Sequence, residues 1–174
     1  MNALPTLPAL RSLADLADVR PAVIINTREQ EPLPIRRLPA IRGTLQSGDY
    51  SIVGAADLFA VERKSISDLV ACCCGENRER FERELHRLRG FRFKRLLIVG
   101  ARAEIEQGRY RSNVKPASVL HSLAAWEVRY DLPAVFCPTA EAAGQQVESW
   151  AFWYAREIVE SVNALLRAAC EGAA

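Results

Sequence analysis

With 174 residues the chain suits one domain, large enough for a real core and too small for two comfortable ones. Its composition, 49% hydrophobic and 25% charged, excludes a disordered or fibrous chain. A formal charge of +2 leaves the choice of partner to the distribution of charge along the chain.

Cys72, Cys73, Cys74, Cys137 and Cys170 are odd in number, three of them adjacent, with no Cys-x-x-Cys spacing. That pattern argues against a disulfide framework and a zinc site, and for reduced thiols in a cytoplasmic, reducing compartment. Arg11, Asp15, Asp18 and Arg20 interrupt the N-terminus, so no signal peptide is expected there, and no segment reaches the length of a membrane span.

Residues 1–21, rich in Ala, Leu and Pro, read as a leader, poorly ordered or forming a short docking helix, ahead of one domain over 22–174. Ala22 to Ile25 is a short β-branched run, a buried strand. Pro32, Pro34 and Pro39 forbid a regular helix in the segment that follows. Thr44 to Gln46 is taken as a short strand before the Ser47-Gly48-Asp49 turn. Tyr50 to Val53 and Leu58 to Lys64 form two more strands around a turn at residues 54–57, so this part reads as a meander. A helix capped by Ser65 or Ser67 runs through Ile66, Leu69 and Val70 and stops near Gly75. A second carries Phe81, Leu85 and Leu88 at helical spacing and ends at Gly90. Arg95 to Val99 is a buried strand, and Pro116 starts a helix with Val119, Leu123, Trp126 and Tyr130 on one face. Ala134 to Cys137 is a short strand. The last helix runs from about Ala140 to Ala169, its apolar side marked by Trp150, Tyr154, Ile158, Ser161 and Leu165. Strands first and alternating helices later give a mixed sheet with helices on both faces, a three-layer αβα sandwich.

The chemistry is concentrated at Glu62-Arg63-Lys64, at the end of a predicted strand. Alternation puts Glu62 and Lys64 on one face and turns Arg63 away. Asp49 opens the neighbouring strand after a glycine that permits a tight turn. If the strands pair, two carboxylates converge beside an ammonium. Such a set suits magnesium, with water and phosphate completing the shell, and phosphodiester hydrolysis in which Lys64 orients water or steadies developing charge. A salt bridge at a strand end is the plainer reading of these three residues alone.

The surrounding residues bear on that choice. Ile24-Ile-Asn-Thr-Arg-Glu29, Gly48-Asp-Tyr50 and Glu62-Arg-Lys-Ser-Ile-Ser-Asp-Leu69 follow in this order at compact spacing. Together they resemble the nuclease domain of the XPF family of structure-specific endonucleases, whose signature is Gly-Asp…Glu-Arg-Lys-x-x-x-Asp. The match is complete from Glu62 to Asp68 and extends more loosely from about Val23 to Trp153. The resemblance implies a restriction-endonuclease-like core and a Mg2+- or Mn2+-dependent cut in DNA. It implies metal-ligand roles for Asp49 and Glu62, with the Arg63 carbonyl as a further ligand and Glu29 as a further acidic, metal-site member. Lys64 then stands beside the attacking water, and Arg63 and Asp68 orient or pair.

Two departures from the family stand out. Asn26 occupies a position where the family usually has Asp, and an amide brings no charge, so Asn26→Asp is expected to leave activity equal or greater. The resemblance implies flap, fork or junction DNA as substrate, in repair, recombination or phage DNA processing, although no tandem helix-hairpin-helix motif, the family's usual grip on DNA, follows residue 140. A catalytically silent DNA-binding or scaffold module on the same fold is the alternative reading.

Residues 76–95 hold eight Arg and Lys against four Glu. Arg80, Arg83 and Arg87 fall opposite Phe81, Leu85 and Leu88, and with Arg78 they are candidates for phosphate contacts. A solvated helix with a Glu79–Arg83 pair competes with that reading. Arg102, Arg109, Arg111 and Lys115 form a looser basic stretch, read as a solvent loop. Because XPF-type domains often pair through helices, the aromatic last helix is expected to serve a homodimer or heterodimer.

Overall fold

The strand at Phe59–Ser65 (β4) organises the molecule, because its alternate residues enter two separate cores. Ala60 packs with one set of helices, and Phe59 and Val61 pack with another on the opposite side. Both faces of this strand are covered, as the run Phe-Ala-Val demands. The computed structural model describes residues 20–171, with side chains described to residue 169; the leader expected over 1–21 lies outside them but for its last two residues.

In chain order the elements are β1 (Val23–Asn26), β2 (Ala40–Gly43), β3 (Tyr50–Ile52), β4, α1 (Ile66–Ala71), α2 (Gly75–Leu88), β5 (Phe93–Val99), α3 (Arg102–Glu106), α4 (Pro116–Tyr130), β6 (Ala134–Cys137) and α5 (Ala140–Glu171). The sheet order is β2-β1-β3-β4-β5-β6. β1 is antiparallel to β3 and β3 to β4, while β1–β2, β4–β5 and β5–β6 are parallel. The sheet is mixed, as expected. One core gathers α1, α2, α3 and α4 over Ala60, Leu96 and Ile98; the other seats Ala143, Val147, Ala151 and Tyr154 of α5 on Val23, Tyr50, Ile52, Phe59, Val61 and Leu97. This is the three-layer αβα sandwich.

Four local expectations are corrected. The second strand is Ala40–Gly43 rather than 44–46, and it runs parallel to β1, so the start of the chain is not a meander. β2 lies at the sheet edge with Ile41 and Arg42 exposed, so it lacks the buried alternation that would announce it. Gly75 opens α2 instead of ending α1, whose C-cap is Cys72. α3, only five residues long, is too short to leave a periodic signal. On α5 the buried face is Ala143, Val147, Ala151 and Tyr154, with Trp150 and Ile158 at its margin, while Leu165 is 71% exposed. Small residues let the long helix sit close to the sheet, and Gly144 lets it meet the loop between β1 and β2, since a Cβ there would lie 2.2 Å from the Pro34 carbonyl oxygen.

Candidate active site

The sheet pairing delivers the acidic residues. Asp49 sits just before β3, held to β4 by its own N–H donating to the Val61 carbonyl (2.8 Å). Gly48 makes this approach: its φ is +79°, and a Cβ would lie 3.2 Å from the Val61 carbonyl oxygen. Further along β4, the Arg63 N–H donates to Asp49 Oδ2 at 2.8 Å, which fixes the carboxylate against the strand. Glu62 and Lys64 share the other β4 face and form an ion pair. The Lys64 ammonium also lies over the Phe81 ring of α2, 5.1 Å from its centroid. Strand alternation therefore placed Glu62 with Lys64 as read from the sequence. Arg63 points away, 3.9 Å from Glu29 and 3.4 Å from Glu31.

These groups are desolvated. Glu62 is 2% exposed, and its Oε2 has no hydrogen-bond partner among the described residues. Burial, then the neighbouring Asp49 charge, pushes the Glu62 carboxyl up to about 8, although Lys64 pulls the other way. Burial likewise raises Asp49 to about 6 against the Arg63 N–H and Lys64, which lower it. For Lys64, burial disfavours the ammonium, but the Glu62 charge and hydrogen bond prevail and hold it above its ordinary range. Two carboxylates thus share one lysine in a poorly hydrated place, short of positive charge. A divalent cation fits that deficit, and the Glu62 Oε2 is a free donor to it.

Asp49 and Lys64 open into a cleft of about 430 Å³ lined also by Glu29, Asp68, Arg28 and Arg80, while Glu62 lies buried behind this lining. Among the described residues no group of three or more His, Cys, Asp and Glu side chains forms a ready-made cage. Of the expected ligand trio, Asp49 and Glu29 line the cleft and Glu62 lies buried behind it; Glu29 Oε1 accepts the Glu31 N–H at 2.9 Å and faces Arg63. Asp68 belongs to the cap of α1. Its N–H donates to the Ser65 hydroxyl, which in turn donates to its carboxylate at 2.7 Å.

The basic helix divides. Phe81, Leu85 and Leu88 are buried, and Arg80, Arg83 and Arg87 are exposed, as the helical spacing requires. Arg87 lies 3.9 Å from Glu84, and neither Arg80 nor Arg83 has a carboxylate partner among the described residues; the Glu79–Arg83 pair is not formed. Arg78 is corrected to a structural residue: it pairs with Glu82 at 3.0 Å, donates to the Ser122 hydroxyl at 2.8 Å and lies over the Trp126 ring. Arg102 pairs with Glu106, and Arg109, Arg111 and Lys115 are exposed.

Sequence reasoning missed Arg28, whose guanidinium bonds the Leu45 carbonyl at 2.9 Å in the cleft wall. It also missed Glu84, a full helical turn beyond Arg80, whose charge acts on Asp49, Glu62 and Lys64. Nothing short of the packing of α2 over β4 could have singled out Glu84 from four similar glutamates.

The mixed αβα sandwich, with two acids and a lysine where β3 and β4 meet, has the restriction-endonuclease-like fold. Residues 25–149 match the ERCC4 domain, and the chain belongs to that family, the XPF-type nuclease domains. The fold is similar to that of XPF from Aeropyrum pernix, with a TM-score of 0.63 at 22% identity over 81% of this chain and 68% of that one. A second structure, of the Aeropyrum pernix XPF in complex with DNA, gives the same TM-score and identity over 79% of this chain and 66% of that one. No curated protein matches the chain.

Proposed function

We propose that the chain is a divalent-metal-dependent DNA endonuclease that takes Mg2+ or Mn2+ on Asp49 and Glu62. The observation that carries this reading is the buried, unpartnered Oε2 of Glu62 beside a second raised carboxyl. A bound ion supplies Lewis acidity towards a phosphoryl oxygen and a more acidic water. Lys64 stays protonated in its ion pair, so it acts as a cation that steadies developing charge and not as the base. Arg63, held by Glu29 and Glu31, and Asp68, held at the α1 cap, keep the walls of the cleft in place.

DNA is the partner this reading requires. The complex of Aeropyrum pernix XPF with DNA supports it, and so does the exposed row of Arg80, Arg83 and Arg87 that starts at the cleft. Flap, fork or junction DNA, as processed in repair or recombination, is the substrate class proposed. Pairing of two chains through α5, where Trp153 is 56% exposed, belongs to the same proposal; a strictly monomeric mass at high concentration would overturn that part.

The test is cleavage of duplex, flap, fork and junction DNA with Mg2+ or Mn2+, beside Asp49→Ala and Lys64→Ala. Metal-dependent cutting by the parent and its loss in both variants is expected. One observation favours a second reading, a silent DNA-binding module: position 26 lacks an acid. DNA binding with no cutting on any substrate would establish it.

A further inference from the structure

Asn26 is 1% exposed, yet it does not offer its side chain to the cleft. Its Nδ2 donates to the buried Gly48 carbonyl at 2.8 Å, and its Oδ1 accepts the Arg28 N–H at 3.3 Å. Its backbone N–H donates to the Asp49 carbonyl at 2.8 Å, and its carbonyl accepts from Arg42 at 3.1 Å. The same carbonyl also accepts the Glu29 N–H at 3.0 Å, so every polar group of this residue is engaged, and two of the five bonds end on the Gly48-Asp49 turn. A buried carbonyl needs a donor, and Gly48, with its positive φ and close packing on β4, cannot turn to find another.

We propose that Asn26 is a positioning residue for Asp49: its amide clamps the turn that presents the Asp49 carboxylate and sets Arg28 in the cleft wall, so the site needs a donor at position 26 and not an acid. This rests on the reading of Asp49 and Glu62 as the cation-holding pair. A carboxylate at position 26 has no donor for Gly48 and would set two acceptors face to face. The proposal thus predicts the opposite of the expectation drawn from the family, in which Asp at this position would equal or exceed the asparagine.

The discriminating experiment measures Mn2+ affinity of the full chain by calorimetry for the parent, Asn26→Asp and the donor-less Asn26→Ala, well below their melting temperatures. Loss of an outer-shell partner lowers metal affinity about 10-fold, and this is expected for both variants. If residue 26 instead faced the ion, Asn26→Asp would bind Mn2+ more tightly than the parent, and the proposal would fall. A merely structural role would lower the melting temperature and leave the affinity unchanged, which also overturns it. Amide hydrogen exchange without metal reads the clamp independently. Faster exchange at the Asp49 N–H, with the α4 amides unaffected, is expected in both variants; unchanged exchange at Asp49, or failure of both variants to fold, contradicts a local action. Should the parent bind no Mn2+, the endonuclease reading and the ion-related half of this proposal fail together, while the exchange result still decides the clamp.

Discussion

The acids carried by the strands and the arginines carried by α2 reach one cleft through Asp49 and Arg80, yet they are built in opposite ways. Asp49 and Glu62 are desolvated, the first fixed by the Arg63 N–H and the second by its place on β4 beside Lys64, and both are raised above the ordinary carboxylate range. Arg80, Arg83 and Arg87 stand in solvent on the outer face of a helix whose other face is buried. Burying charge is costly, and a protein retains it where a reacting centre or an ion needs a dry, preorganised field. Exposed arginines meet phosphate with little desolvation, and their contribution yields to salt. The first region is suited to chemistry and the second to grip.

The largest effect that would sharpen this contrast is on the strand side. Asp49→Ala and Lys64→Ala are each expected to lower the cleavage rate by about 10² to 10⁴. Binding of the same DNA should change little, as read by fluorescence anisotropy. If binding collapsed with the rate, the division of labour would be broken.

On the helix side the order reverses. Arg80→Ala with Arg83→Ala is expected to weaken DNA binding at all sequences and to reduce the slope of log affinity against log salt by about one for each phosphate that is no longer neutralised. A salt titration measures this directly, and an unaltered slope would return these arginines to the role of solvated surface.

The raised carboxyls make stability depend on pH. In the metal-free chain Asp49 and Glu62 titrate near about 6 and about 8, so the folded state holds protons that the unfolded chain has released. Their contribution to stability is fully present below the ordinary carboxylate range and is lost as pH rises through those values. Thermal melts without metal should therefore fall between about pH 5 and about pH 8, from the shifts just given. Excess Mn2+ should restore them at the upper end, with proton release seen by calorimetry in two buffers. A melting temperature that does not respond to pH would mean that the pair is better compensated than its surroundings imply.

The smallest effect separates one arginine from its neighbours. Arg78→Ala removes bonds to Glu82 and Ser122 and is expected to cost about 1 kcal/mol of stability, seen in denaturant melts, while the salt slope stays as in the parent. A changed slope would restore Arg78 to the DNA-facing row.

The legible features were those carried by local periodicity. The buried faces of α2 and α4, the β-branched runs of β1 and β5, and the side-by-side placement of Glu62 and Lys64 all follow from spacings of a few residues. The hidden features depend on neighbours distant in sequence. β2 shows no alternation because it is an edge, and Leu165 has the right spacing on α5 but no sheet beneath it to cover it. Glu29 stands beside an arginine that the chain brings back from β4, a neighbour that no local spacing announces.

By itself, then, the sequence determined the longer helices, most of the strands, the αβα class and the placing of Glu62 beside Lys64, because side-chain alternation and signature spacing are written in consecutive residues. Tertiary structure alone decided which charges are desolvated, which arginine is bound within the fold and which way Asn26 turns. Those properties arise from what packs against a group, and burial and hydrogen-bond partners are supplied by segments far apart along the chain.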